Sequence, residues 1–121
     1  MTTQTGHTAA IPASRVIGTN VYNVAGETIG KIEDVMLDKL SNGIMFAVIG
    51  FGGFLGIGER YHAIPWSTLD FDKGRGGYVV PFSREQLKAA PSYSVNELTE
   101  DDGRLARDAS YQHYRVEPYW H

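Results

Sequence analysis

Residues Ile44-Met45-Phe46-Ala47-Val48-Ile49-Gly50-Phe51 are apolar at nearly every position. A strand with one wet face alternates apolar and polar side chains, so this run predicts a strand covered on both faces. The loop Gly52-Gly53-Phe54-Leu55-Gly56-Ile57-Gly58-Glu59-Arg60 follows it directly. Four glycines in seven positions allow positive φ angles and close backbone approach. Between them stand Phe54, Leu55 and Ile57, large apolar groups at a loop tip. Such side chains pack on the domain itself, a second subunit or another partner.

The flanking sequence has the same β texture. Val16 to Val24 reads as a first strand region, Ala25-Gly26-Glu27 as a tight turn and Thr28 to Leu37 as a second strand. In that second strand Ile29, Ile32, Val35 and Leu37 do not share one parity; a bulge near Gly30 would turn both halves inward. Asp38 to Gly43 is a turn ending in Asn-Gly, the pair favoured for positive φ. Tyr61 to Ile64 is a short strand stopped by Pro65. Leu69-Asp70-Phe71-Asp72 and Tyr78-Val79-Val80-Pro81-Phe82 flank Lys73 to Gly77 as a second hairpin. About six short strands with turns every ~8–12 residues predict a mainly β fold, a small closed or nearly closed six-stranded barrel.

Three segments result. Residues 1–13 are polar and Thr-rich and read as a flexible N-terminal arm; 14–90 form the barrel domain; 91–121 form a C-terminal tail. Ser83-Arg84-Glu85-Gln86 fits a capping box that starts a helical turn to Ala90, stopped by Pro91. A second helix is expected near 100–114, with Thr99 as N-cap, Gly103 as a weak point and a thin apolar face of Leu98, Leu105 and Ala109. The tail also carries Tyr111, Tyr114, Tyr119 and Trp120, aromatic enough to lie against the barrel or a neighbouring subunit.

The 121 residues suffice for one core. With no cysteine there is no disulfide, thiolate metal site or cysteine nucleophile, a composition compatible with the cytoplasm. The 14 acidic and 11 basic residues leave no electrostatic footprint for nucleic acid. No window approaches the ~20 apolar residues of a membrane span, and the N-terminus lacks a signal-peptide pattern. A cytoplasmic location is expected, with peripheral attachment through a membrane-bound partner left open.

No residue set points to catalysis. The glycine loop lacks the Lys-Ser/Thr of a phosphate loop, and Gly53, Gly56 and Gly58 are spaced in the reverse order of a dinucleotide fingerprint. His7, His62, His113 and His121 are scattered without metal-pair spacing, and His62 is expected as a half-exposed strand residue with a satisfied ring. Glu33-Asp34, Asp70-x-Asp72 and Asp101-Asp102 fit solvated turns, strand ends or a helix start. Trp66 after Pro65 is expected as a core or barrel-lid aromatic. No cofactor, metal or enzyme activity is expected.

Several of these pieces together resemble the PRC-barrel family. They are Val16-Ile17-Gly18, Val21-Tyr22-Asn23, Gly26-Glu27-x-x-Gly30-Lys31-Ile32-Glu33-Asp34, the loop Gly52 to Gly58, and Ile64-Pro65-Trp66. That family is named for the cytoplasmic domain of the photosynthetic reaction-centre H subunit and includes the C-terminal domain of the ribosome-maturation factor RimM. The resemblance covers roughly residues 14–90 and implies a compact barrel used as a protein-binding module, without a general catalytic site. The chain shows neither the H subunit's membrane helix nor the maturation factor's first barrel, and is similar to small stand-alone members. The H subunit's proton-delivering acids do not map one by one onto Glu27, Glu33, Asp34 or Asp38.

The expectation is a non-enzymatic adaptor, homodimeric or docked on an unknown protein partner through Phe54, Leu55 and Ile57 together with Tyr119 and Trp120. The alternatives are a ribosome-assembly or RNA-processing factor, and a quinone- or tetrapyrrole-associated photosynthetic or electron-transfer protein.

Overall fold

A computed structural model describes residues 10–51 and 60–120. Six strands form one sheet: β1 (Asn20–Tyr22), β2 (Thr28–Asp38), β3 (Gly43–Gly50), β4 (Tyr61–Pro65), β5 (Asp70–Asp72) and β6 (Gly77–Val79), in the order β4-β3-β2-β1-β6-β5. All neighbours are antiparallel except β1 and β6, which run parallel. The sheet curls around its core like a barrel, but among the described residues no ladder joins β4 to β5.

Bulges produce the curl. Val21 pairs with Gly30 and Tyr22 with Thr28, so Ile29 is the extra residue, beside Gly30 as the parity slip requires. A second shift at Glu33 keeps Val35 packed against the same core as Ile32. A third lies opposite Leu37, which is 63% exposed and not inward-facing as its place in the alternation suggested. Gly30 also sits where a Cβ would overlap the Gly50 carbonyl oxygen, so the strands meet closely at this point.

The apolar run of β3 is buried on both faces. Ala47 and Ile49 join the inner core with Val21, Ile29, Ile32, Ile64 and Val80. Met45, Phe46 and Val48 join an outer core with Ala63, Leu98 and Ala106. Trp66 packs half-buried on the inner core, its ring 5.8 Å from that of Tyr78, as a barrel-lid aromatic would.

Turn chemistry follows the sequence closely. Asn42 takes φ 64 before Gly43, and Asp72 Oδ1 accepts from the Gly74 and Arg75 amides in the second hairpin. The first hairpin is organised by buried Asn23, whose Oδ1 accepts from Ala25 and Glu27 while its Nδ2 donates to Glu27 Oε1. At the N-terminus the first strand begins later than expected. Ala13–Val16 form a helical turn (α1), and the Thr19 hydroxyl donates to the Arg15 carbonyl, a local bond that competes with strand pairing. The proposed arm lies mostly outside the described residues.

Beyond β6 come α2 (Arg84–Ala89), α3 (Val95–Leu98), a 3-10 turn over Glu100–Gly103 and α4 (Arg104–Tyr114). The capping box of Ser83 and Gln86 opens α2, and a matching one of Ser94 and Glu97 opens α3. Thr99 makes no N-cap bond to the 3-10 turn; its hydroxyl donates instead to the Asn96 carbonyl of α3. Asp101, Asp102 and Gly103 all have positive φ, and Gly103 at φ 82 starts α4 against Met45 and Met36. The glycine therefore permits the turn into this helix.

Candidate interaction surface

Both edges of the sheet are closed to strand addition. On β4 the Tyr61 amide and carbonyl exchange bonds with Tyr93, the Ala63 carbonyl accepts from Ser110 Oγ, and Pro65 has no N–H. At the other edge β5 is three residues long, with Asp70 and Asp72 beside its one apolar residue, Phe71. Short, charged or capped edges resist augmentation.

The C-terminal segment covers the outer face of β3 and β4. Arg60 fixes its start, donating to Ser92 Oγ at 2.8 Å and the Ser92 carbonyl at 2.7 Å and pairing with Glu97 at 3.2 Å. The buried face of α4 is Ala106, Ser110, Tyr111 and Tyr114, whereas Leu105 is 55% exposed. The expected face of Leu98, Leu105 and Ala109 thus keeps only Leu98 fully buried. Polar tips replace the missing apolar area: Ser110 Oγ donates to the Ala63 carbonyl at 2.6 Å and Tyr111 OH to the Met45 carbonyl at 2.9 Å.

The tail folds back in the same chain. Tyr119 OH donates to Asp38 Oδ2 at 2.6 Å, and this bond, with the Leu40 amide, holds the Asp38 carboxyl below its usual range. Desolvation and the same carboxylate push the Tyr119 hydroxyl up. Trp120 packs edge-on against Tyr111 at 4.8 Å, with the Arg107 guanidinium 3.7 Å from its ring centre.

Phe54, Leu55 and Ile57, with Gly52, Gly53, Gly56 and Gly58, lie outside the described residues. The loop leaves from the Gly50 end of β3 and returns at Tyr61, whereas Tyr119 is tied to Asp38, beside the Gly43 end. An eight-residue strand separates these points by about 23 Å at ~3.3 Å per residue. The anchored tail and the loop stems therefore lie at opposite ends of β3.

The cover stops short of β2. Between that strand and α3 runs an open groove of about 380 Å³, with Val35, Met36, Val48 and Leu98 among its apolar walls. Glu33 and Asp34 form one rim and Val95, 62% exposed, the other. None of these residues was singled out as a site from sequence. The parity slip at Glu33-Asp34 and the Ser94-x-x-Glu97 capping box were the readable signals.

His62 differs from expectation. It is only 1% exposed, stacked on Phe51 at 4.2 Å, and among the described residues neither ring nitrogen has a hydrogen-bond partner. Burial first, then the charges of His113 and Arg60, lower its pKa to about 4. It is a neutral core histidine at neutral pH. The other singled-out acids have local roles or lie open: Asp101 and Asp102 pair with Arg104, and Glu27 pairs with Arg84. Among the described residues no cluster could hold a metal ion, and no helix is long and apolar enough to cross a membrane.

The sequence matches the family description "PRC-barrel domain" over residues 9–87, about two thirds of the chain. The chain belongs to the PRC-barrel family. Domains of this family are generally non-catalytic binding modules. No curated protein matches the chain. The matched residues end within α2, so the PRC-barrel match takes in the inner core up to that point, while α3, α4 and the aromatic tail lie beyond it.

Proposed function

We propose that the protein is a non-enzymatic interaction module, an adaptor that binds other proteins and pairs with a second copy of itself. The single observation that supports this best is the apolar groove between β2 and α3, open to solvent on a body whose sheet edges are closed. Family membership points the same way.

Self-association is assigned to the glycine loop, where Phe54, Leu55 and Ile57 offer apolar area without charge. A self-complementary patch of this kind favours a two-fold dimer. Tyr119 and Trp120 would form a second, separate contact at the far end of β3. Light scattering over a hundredfold concentration range tests the assignment. The wild type should be a dimer, and Phe54→Asp a folded monomer with unchanged far-UV circular dichroism. A wild type that stays monomeric throughout contradicts self-association; a variant that unfolds assigns Phe54 to the core instead.

A further inference from the structure

We propose that the groove beside α3 receives a segment of a different protein that carries one or two large apolar side chains flanked by lysine or arginine. The inference rests on the interaction-module reading and specifies its partner. Half-buried Val35 and Met36 and exposed Val95 offer apolar area that the C-terminal cover leaves open, so an apolar anchor is required. The rim supplies the charge. Glu33 and Asp34 are both exposed, and among the described residues neither forms an ion pair.

Glu33 also lies against the β2–β3 ladder. A Cβ on Gly50 would lie 2.6 Å from its Oε2, so the carboxylate occupies space that only a glycine leaves, at the β2–β3 ladder. Arg60, which precedes the groove residue Tyr61, is already shared between Glu97 and Ser92. Among the described residues, no lysine or arginine lines the groove. The chain's apolar loop does not supply one either: Phe54, Leu55 and Ile57 are uncharged and are followed by Glu59 and the already paired Arg60. That distinguishes a foreign basic-apolar segment from this loop of a second copy. Complementary charge at such a rim sets orientation and partner choice more than raw affinity.

The test uses the isotope-labelled full chain and three peptides of one length: amphipathic leucine/lysine, amphipathic leucine/glutamate, and serine/lysine. The leucine/lysine peptide should shift the amides of Val35, Met36, Leu98 and Thr99 saturably, and the other two should not. Glu33→Gln with Asp34→Asn should weaken that binding about fivefold without altering the rest of the spectrum. Equal binding of the leucine/glutamate peptide overturns the basic partner while the interaction reading stands. Shifts from neither leucine peptide overturn the proposal and remove the groove as support for the module. Binding that emerges only after Phe54 and Leu55 are changed to serine makes the chain's own loop the occupant, which also overturns it.

Discussion

The two faces of β3 are held by different kinds of chemistry. The inner face, with Ala47 and Ile49, belongs among the described residues to a core of fourteen, drawn from α1, β1 to β4, β6, α2 and α4 and from the connecting residues Phe51, Leu69, Val80 and Phe82. The outer face, with Phe46 and Val48, belongs among the described residues to a core of six that includes Leu98 and Ala106, closed by hydroxyls that reach backbone carbonyls. One face is sealed by apolar area and the other is partly sealed by polar tips. The difference teaches how this barrel divides its stability: its interior is closed by apolar packing, whereas its outer cover stops short and leaves a groove.

Core truncations would break the comparison most strongly. Phe46→Ala and Ile49→Ala should each lose about 3 kcal/mol or more in urea unfolding, since both side chains are fully buried. They should differ in kind. Phe46→Ala should lower hydrogen-exchange protection in α4 ahead of β1 and β6, whereas Ile49→Ala should lower it throughout. An equal pattern in both would make the two cores one.

Acidification should sharpen it next. The folded-state pKa of His62 is about 4, below the ordinary value of 6.5, so the unfolded chain takes up this proton first. The stability that His62 permits is complete above pH 6.5 and falls as pH drops toward 4, by ~1.4 kcal/mol per unit and about 3 kcal/mol in all. His62→Leu should flatten that window and also remove two buried nitrogens that have no partner among the described residues. An unchanged slope in the variant would assign the acid sensitivity to other groups.

The smallest effect concerns the tail. Tyr119→Phe removes the hydroxyl bonded to Asp38, and should cost about 1 kcal/mol or less, confined to the tail. The Asp38 carboxyl should titrate higher in the variant, because its largest lowering influence is gone. A carbon-13 carboxyl titration reads this directly, and an unmoved Asp38 would deny the contact.

The inner barrel was legible because its signals are local. Parity within Thr28 to Leu37, Asn42-Gly43 and the glycine-bearing turns each act over a few residues, and the bulge beside Gly30 follows from parity alone. The closed barrel was legible only in part, since an open β4–β5 seam leaves no local mark. The outer cover was not legible, because its bonds span the chain. Ser110 meets Ala63 across 47 residues, Tyr111 meets Met45 across 66 and Tyr119 meets Asp38 across 81. No periodicity predicts Ser110 as a core residue, and an apolar-face reading promotes the exposed Leu105 in its place. The sealed His62 was hidden for a related reason: on an inward parity a strand residue is buried whatever the polarity of its side chain. The groove arises only where α3 stops beside β2, which depends on the capping box at Ser94 and on Arg60.

Native-state hydrogen exchange, read amide by amide, tests the two-face account most directly. The account predicts that α4 from Ala106 to Tyr111 opens at a distinctly lower free energy than the β2–β3 ladder, because its cover has little apolar area and is held by polar tips. A single opening free energy shared by α4 and the β2–β3 ladder would contradict it, and would make the sheet and its cover one cooperative unit.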